Sequence, residues 1–212
     1  MFTNKSFDLA LQIEDRSLAG TAAFNLGHAY KDMPALRDLD EAERQYRKCL
    51  DLAPEEDRFT RASGLAQLGS IAYERFKDAR AAKKQKPELG RHLNDALHRY
   101  LEALEMTPRD AVGQLAIAHN QLGLVYRDAG DFDRALQHGL QSLRLEEGCG
   151  NLYGAARSRH NIAGTLVAAS RLPDARQYAD AALRGFQAYG AGAAEEVHLT
   201  LDLISQIAKA TP

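Results

Sequence analysis

Gln121-Leu122-Gly123-Leu124-Val125-Tyr126, followed by Gly130-Asp131 and then by Ala135, is the stretch that decides the fold. A large residue, a glycine and an aromatic three residues on share one face of a helix. The missing side chain lets a second helix approach before the aromatic locks against it. Gly130-Asp131 stops that helix and caps the next, and the small Ala135 opens a second amphipathic stretch. The phrase recurs as Asn25-Leu26-Gly27-His28-Ala29-Tyr30 with Ala42 downstream, and as Gln67-Leu68-Gly69-Ser70-Ile71-Ala72-Tyr73 with Ala96. A weaker copy, Asn161-Ile162-Ala163-Gly164-Thr165-Leu166, is followed by Ala175. The chain reads as an array of helical hairpins.

Working outward, the pattern predicts helix pairs over 16–32 and 39–53, 58–84 and 91–106, 110–129 and 132–147, and 151–169 and 172–189. The repeats are expected at 16–54, 58–108, 110–147 and 151–189. A partial helix over 5–15 precedes them and a capping helix over 193–209 closes them, all in a single domain spanning 1–212. Met33-Pro34, Ala53-Pro54, Lys86-Pro87 with Gly90, and Thr107-Pro108 are expected to stop helices, and Asp110 and Asp131 to cap the helices after them. No run alternates with period two for long enough to argue a strand.

Composition narrows the function classes. Hydrophobic residues make up 45% of the 212 positions and charged residues 26%, while 6 Pro and 16 Gly are too few for a disordered chain. With 27 basic and 29 acidic side chains the net charge is −2, so no global field favours nucleic acid or an anionic membrane surface. Cys49 and Cys149 are far apart in sequence and read as reduced thiols, Cys49 as a small core residue. Met1-Phe2-Thr3-Asn4-Lys5 lacks the apolar run of an export signal, and no stretch reaches the length of a membrane span. The expectation is a cytoplasmic protein.

The hairpin residues resemble the tetratricopeptide repeat. The resemblance rests on Leu122-Gly123, Tyr126, Gly130, Ala135 and Ser142, on Leu26-Gly27, Tyr30, Ala42, Tyr46 and Pro54, and on Leu68-Gly69, Ala96, Tyr100, Ala103 and Pro108. It covers nearly the whole chain. Departures are the lack of any Trp, Tyr73 one place late, Gly139 where an aromatic is usual, and Ile162-Ala163 in place of Leu-Gly. The phrases Leu143-Arg144-Leu145-Glu146-Glu147-Gly148 and Gly150-Asn151-Leu152-Tyr153-Gly154-Ala155-Ala156 are also similar to longer repeats of about 40 residues. Those longer repeats occur in mitotic adaptors, kinesin light chains and the C-terminal parts of bacterial signalling ATPases. The resemblance implies an all-α, right-handed α-solenoid of helical hairpins with a C-terminal capping helix. It implies a non-enzymatic scaffold that binds a protein or peptide in its concave groove. The alternatives are a sensor or autoinhibitory segment of a larger signalling ATPase or effector, and an oligomerisation module.

Nothing in the sequence spells a reaction centre. His92, His98, His119, His138 and His160 form no i, i+4 pair with a third ligand, and neither cysteine has a Cys-x-x-Cys partner, so no metal and no cofactor is expected. Gly148-Cys149-Gly150 and Gly190-Ala191-Gly192 read as turns, not phosphate cradles. Ser158 and His160 lie in no nucleophile elbow, and no catalytic residue is assigned.

In the resembled family the first helix of each pair lines the groove. That places Asn25, His28 and Lys31, then Gln67, Ser70 and Glu74, then Asn120, Gln121, Leu124 and Arg127, then Arg157, His160 and Asn161 on the inner wall. Asn25, Gln67, Gln121 and Asn161 would form a ladder of amides for a peptide backbone, with Arg127 and Arg157 as forked donors to carboxylates. The alternative is a merely solvated polar face. The segment 76–94 carries Lys77, Arg80, Lys83, Lys84, Lys86 and Arg91 and reads as a solvated helix extension plus loop, with an acidic partner as the other reading. Nucleic acid is disfavoured because no aromatic residue interleaves the basic ones. Phe7, Ala10 and Leu11 share one face of the first helix. A homodimer through that N-terminal end, or a longer protein of which this is a piece, would cover it.

Overall fold

The structure is a computed structural model that describes residues 5–210. The described residues form helices and connecting turns, with no strand among them. By contact density the chain divides into two compact units, residues 1–108 and 109–212.

The first unit holds α1 (Lys5–Gln12), α2 (Arg16–Asp32), α3 (Leu39–Leu52), α4 (Arg58–Ala81) and α5 (Lys86–Met106). α2 pairs with α3 and α4 with α5, and α3 packs on α4. Three of these helices start on an aspartate whose carboxylate satisfies otherwise orphaned backbone N–H groups: Asp15 accepts from Leu18 N, Asp38 from Asp40 N and Glu41 N, and Asp57 from Thr60 N. Within each hairpin a tyrosine of the second helix lies on a glycine of the first. A Cβ added to Gly27 would stand 2.5 Å from Tyr46 Cε1, and one added to Gly69 would stand 3.0 Å from Tyr100 Cδ1. Both tyrosines are buried. The glycine in the recurring phrase is therefore the seat of an aromatic ring.

Pro87 and Gly90 do not stop a helix as the sequence suggested. α4 ends earlier, at Ala81, and α5 begins at Lys86 with Pro87 in its first turn, where a missing N–H costs nothing. The reversal falls at Lys83, whose φ is +53°. Most of segment 76–94 is thus helical. Three of its charges are engaged: Lys77 pairs with Glu74 and lies over the Tyr73 ring, Arg80 lies over Phe76, and Asp78 accepts from Arg37 at 2.9 Å.

The second unit holds α6 (Val112–Ala129), α7 (Phe132–Gly148), α8 (Leu152–Ala168), α9 (Leu172–Tyr189), a 3₁₀ turn (Gly190–Ala193) and α10 (Ala194–Ala210). α6 pairs with α7 and α8 with α9, α7 packs on α8, and α10 closes against α9. Gly130, at φ +85°, ends α6 in the left-handed conformation, and Asp131 caps α7 by accepting from Arg134 N. Asp110 makes no cap, contrary to expectation. Ala111 takes that position and α6 opens one residue later without a side-chain acceptor. Gly123 here faces main chain, since its Cβ would stand 3.3 Å from the Ala135 carbonyl oxygen. The unusual Gly139 has a partner of its own: Ile162 Cγ1 of the next hairpin occupies the space a Cβ would need, at 2.9 Å. Two departures from the repeat pattern, Gly139 and Ile162, therefore complement each other.

Candidate functional site

The inner-wall residues named from sequence fall on α2, α4, α6 and α8, the first helices of the four hairpins. In the first unit three of them meet. Lys31 Nζ, with its side chain 12% exposed, donates to Gln67 Oε1 at 3.0 Å and lies 3.4 Å from Ser70 Oγ and from Asp32 Oδ1. An ammonium desolvated to that degree needs several oxygen partners, and α4 supplies two of them. Asn25 is exposed. His28 turns edge-on to Phe24 and Tyr46, with ring centroids 4.8 and 5.6 Å away. Glu74 pairs with Lys77 and lies 3.7 Å from Arg37.

In the second unit Asn161 Nδ2 donates to Asn120 Oδ1 at 2.8 Å, joining α8 to α6. His160 joins α8 to α10: its Nδ1 lies 2.9 Å from Thr200 Oγ1. The one hydroxyl proton of the buried Thr200 goes to the Glu196 carbonyl oxygen at 2.7 Å, which assigns the proton of the first bond to His160 Nδ1. Burial, and then the charge of Arg127, hold the His160 pKa below its ordinary value. Arg127 is half-buried, with Asp128 at 3.5 Å. The Nε of Arg157 is buried with no protein acceptor. Gln121 and Leu124 are half-buried on α6.

The polar positions thus serve first as lateral ties from one first helix to the next, Lys31 to Gln67 and Asn161 to Asn120, and from α8 to the closing helix, His160 to Thr200. Sequence reasoning had Asn161 in register with Gln121. The structure pairs it with the preceding residue, Asn120, which is buried.

Two features were not anticipated. The first is an open cleft of about 180 Å³ between the N-terminal halves of α2 and α4, floored by the end of α3. Phe24, Cys49, Leu52, Pro54 and Phe59 give it an apolar lining, and Arg16, Ser17, Thr21, Thr60 and Ser63 put polar groups around it. Burial raises the Cys49 thiol to about 11, so it sits there as a neutral apolar group. The hydroxyls one turn before the recurring phrase in α2 and α4 were the available signal. The second is a pair of imidazoles, His119 on α6 and His138 on α7, whose Nδ1 atoms are 2.9 Å apart. Burial and the neighbouring ring lower His119 to about 4. Among the described residues no group of three or more potential metal ligands forms, and no helix is long and apolar enough to cross a membrane.

Comparison with known proteins fits this geometry. A family model described as tetratricopeptide repeat matches residues 114–188, spanning α6 to α9, and another of the same description matches 21–56, spanning α2 and α3. Together they take in just over half of the chain. The unmatched hairpin, α4 with α5, is the one lengthened between Gly69 and Ala96. No curated protein matches by sequence. Among solved structures, BtubC (BKLC) from P. vanneervenii is similar with a TM-score of 0.77 and 15% identity, over 98% of this chain and 80% of that one. TTC0263, a thermophilic TPR protein of Thermus thermophilus, gives 0.63 and 20%, over 98% and 97%. MamA gives 0.58 and 18%, over 87% of each chain. At such identities the likeness is one of fold.

Proposed function

The chain belongs to the tetratricopeptide repeat family, and from that premise we propose that it is a non-enzymatic scaffold binding a protein or peptide segment along its first helices. The observation that carries this reading is the cleft between α2 and α4. It offers an apolar floor for a side chain and a border of hydroxyls for the backbone that bears it. On the second unit the same reading gives acidic groups of the ligand to the guanidinium groups of Arg127 and Arg157, both half-buried on first helices.

The test is a selection of peptides that bind the full chain, followed by titration against Ser63→Trp, which fills the cleft, and against Arg127→Ala with Arg157→Ala. The expected result is loss of binding in the first and a loss of about 1–3 kcal/mol per removed charged bond in the second. Selected peptides that bind all of these variants at full strength would place the interaction elsewhere and overturn the reading.

A second reading, self-association through the N-terminal end, draws on α1. Ala10 is buried, while Leu9 and Ile13, one helical turn apart, are 58% and 66% exposed. The face that the sequence left open for such a contact, Phe7, Ala10 and Leu11, is turned inward at Ala10, and the side chain of Leu11 lies outside the described residues.

A further inference from the structure

The geometry points to a binding site for a divalent first-row transition cation at His119 and His138 of the α6–α7 hairpin. The two side chains come from different helices, and the hairpin fixes their distance. His119 stands three residues before Leu122 and His138 three after Ala135. The close approach of α6 and α7 at Gly123, where a Cβ would stand 3.3 Å from the Ala135 carbonyl oxygen, carries both rings to the same level. At the corresponding positions of the other hairpins the sequence has Ala23 with Gln45, Leu65 with Arg99, and Arg159 with Tyr178. Only the third hairpin places two imidazoles there.

The nitrogen separation is the quantity that matters. The Nδ1 atoms are 2.9 Å apart, with ring centroids at 5.1 Å and planes inclined by 36°. With metal–nitrogen bonds of about 2.0–2.1 Å, that separation corresponds to an angle of about 90° at the metal, the cis angle of tetragonal Cu(II) or Ni(II). A tetrahedral Zn(II) would require the rings to part by a few tenths of an ångström. Without a metal, the two nitrogens share one N–H···N hydrogen bond, so binding exchanges the shared proton for the cation: the donor ring moves its proton to Nε2, and both rings turn slightly so that their Nδ1 lone pairs converge on the metal.

The surroundings support the rings in place. Tyr126 stacks on His138 at 5.4 Å and 15°, and both imidazoles are half-buried, so neither is sealed from solvent. No third His, Cys, Asp or Glu among the described residues joins them, so two nitrogens and water make up the coordination. The nearby guanidinium of Arg134 is balanced by Asp131 at 3.4 Å.

The experiment uses the untagged full chain, titrated calorimetrically with Ni²⁺ and with Cu²⁺ near neutral pH. One saturable site is expected. His119→Phe and His138→Phe each keep an aromatic ring in the hairpin and should weaken binding at least about tenfold, since even the loss of an outer-shell partner costs that much at a metal site. His98→Gln, an exposed histidine of the other unit, should leave binding unchanged. Should a phenylalanine variant fail to fold, the wild-type chain decides. Substoichiometric Ni²⁺ should broaden the ring resonances of His119 and His138 ahead of those of the remaining five histidines. Absence of a saturable site, equal affinity in the folded variants, or broadening confined to other histidines would each reduce the pair to a plain hydrogen bond and overturn the inference.

Discussion

The side-chain amide of Asn151 is divided between Gly154 and Glu146. Its Oδ1 accepts from Gly154 N at 3.1 Å, capping α8, while its Nδ2 donates to Glu146 Oε2 at 2.7 Å near the end of α7. Glu146 is only 2% exposed. A carboxylate so far from water requires compensation, and it receives it from this amide and from its place at the positive end of α8. Gly154 is the residue that makes room, because a Cβ there would collide with both Glu146 and Asn151. Gly154→Ala is therefore expected to lower unfolding free energy by about 1–3 kcal/mol despite alanine's better helix propensity. Asn151→Ala should cost a similar amount by removing a cap and stranding a buried acceptor. Urea unfolding followed by circular dichroism measures both, and an unchanged midpoint in Gly154→Ala would contradict the packing described.

The Asn161–Asn120 tie predicts non-additivity. Asn161→Ala leaves the buried Asn120 Oδ1 without its donor and should cost about 1–3 kcal/mol, and Asn120→Ala should behave alike. The double variant should cost less than the sum, with a coupling of about 0.5–3 kcal/mol, because no polar group is then left stranded. Asn161 would thus affect folding as well as ligand binding, so binding data on Asn161→Ala need a stability correction. Strict additivity would mean the two amides act independently.

The fold was legible because one phrase encodes both the helix and its partner's approach. Gly27 and Gly69 receive tyrosine rings, and Ala42, Ala96, Ala135 and Ala175 are all buried where the pattern put small residues. Boundaries failed where a residue has two meanings. Pro87 can end a helix or open one, and only the packing of α5 on α4 decides. The site was less legible. Periodicity assigns a residue to a face of its own helix, but not the rotation that brings Asn161 to Asn120 instead of Gln121. The His119–His138 meeting depends on the depth of the hairpin contact, and an i, i+4 search within single helices does not sample it.

Acidification should weaken the second unit through His160. Its folded-state pKa is lowered from 6.5, first by burial and then by Arg127, so the unfolded chain takes up the proton earlier than the folded one. The stability this group contributes is therefore complete above about pH 6.5 and is lost as pH falls below that value toward the lowered folded pKa. The added proton goes to Nε2, so the bond from Nδ1 to Thr200 survives. The cost is charge in a half-buried place beside a guanidinium. Denaturation midpoints measured between pH 8 and 5 should be flat and then decline. Arg127→Ala should soften the decline, and His160→Gln should remove this group's share of it. A decline of equal slope in His160→Gln would assign the effect to other groups.

The N-terminal helix gives the last prediction. α1 buries Ala10, and the Phe7 ring lies beneath Lys48 Nζ at 5.2 Å, which fixes its inner side. Leu9 and Ile13 point outward at i, i+4 spacing, and Leu18 at the start of α2 is also exposed. A two-fold contact would present the same pair of side chains from both copies, so each substitution acts twice in the dimer. Sedimentation velocity over a hundredfold concentration range should show the wild-type chain passing from monomer to dimer. Leu9→Ser with Ile13→Ser should remain monomeric with unchanged helicity and an unchanged unfolding midpoint at the lowest concentration, since neither side chain is buried in the monomer. A wild-type chain that stays monomeric throughout, or a double variant that still pairs, would remove α1 as the contact.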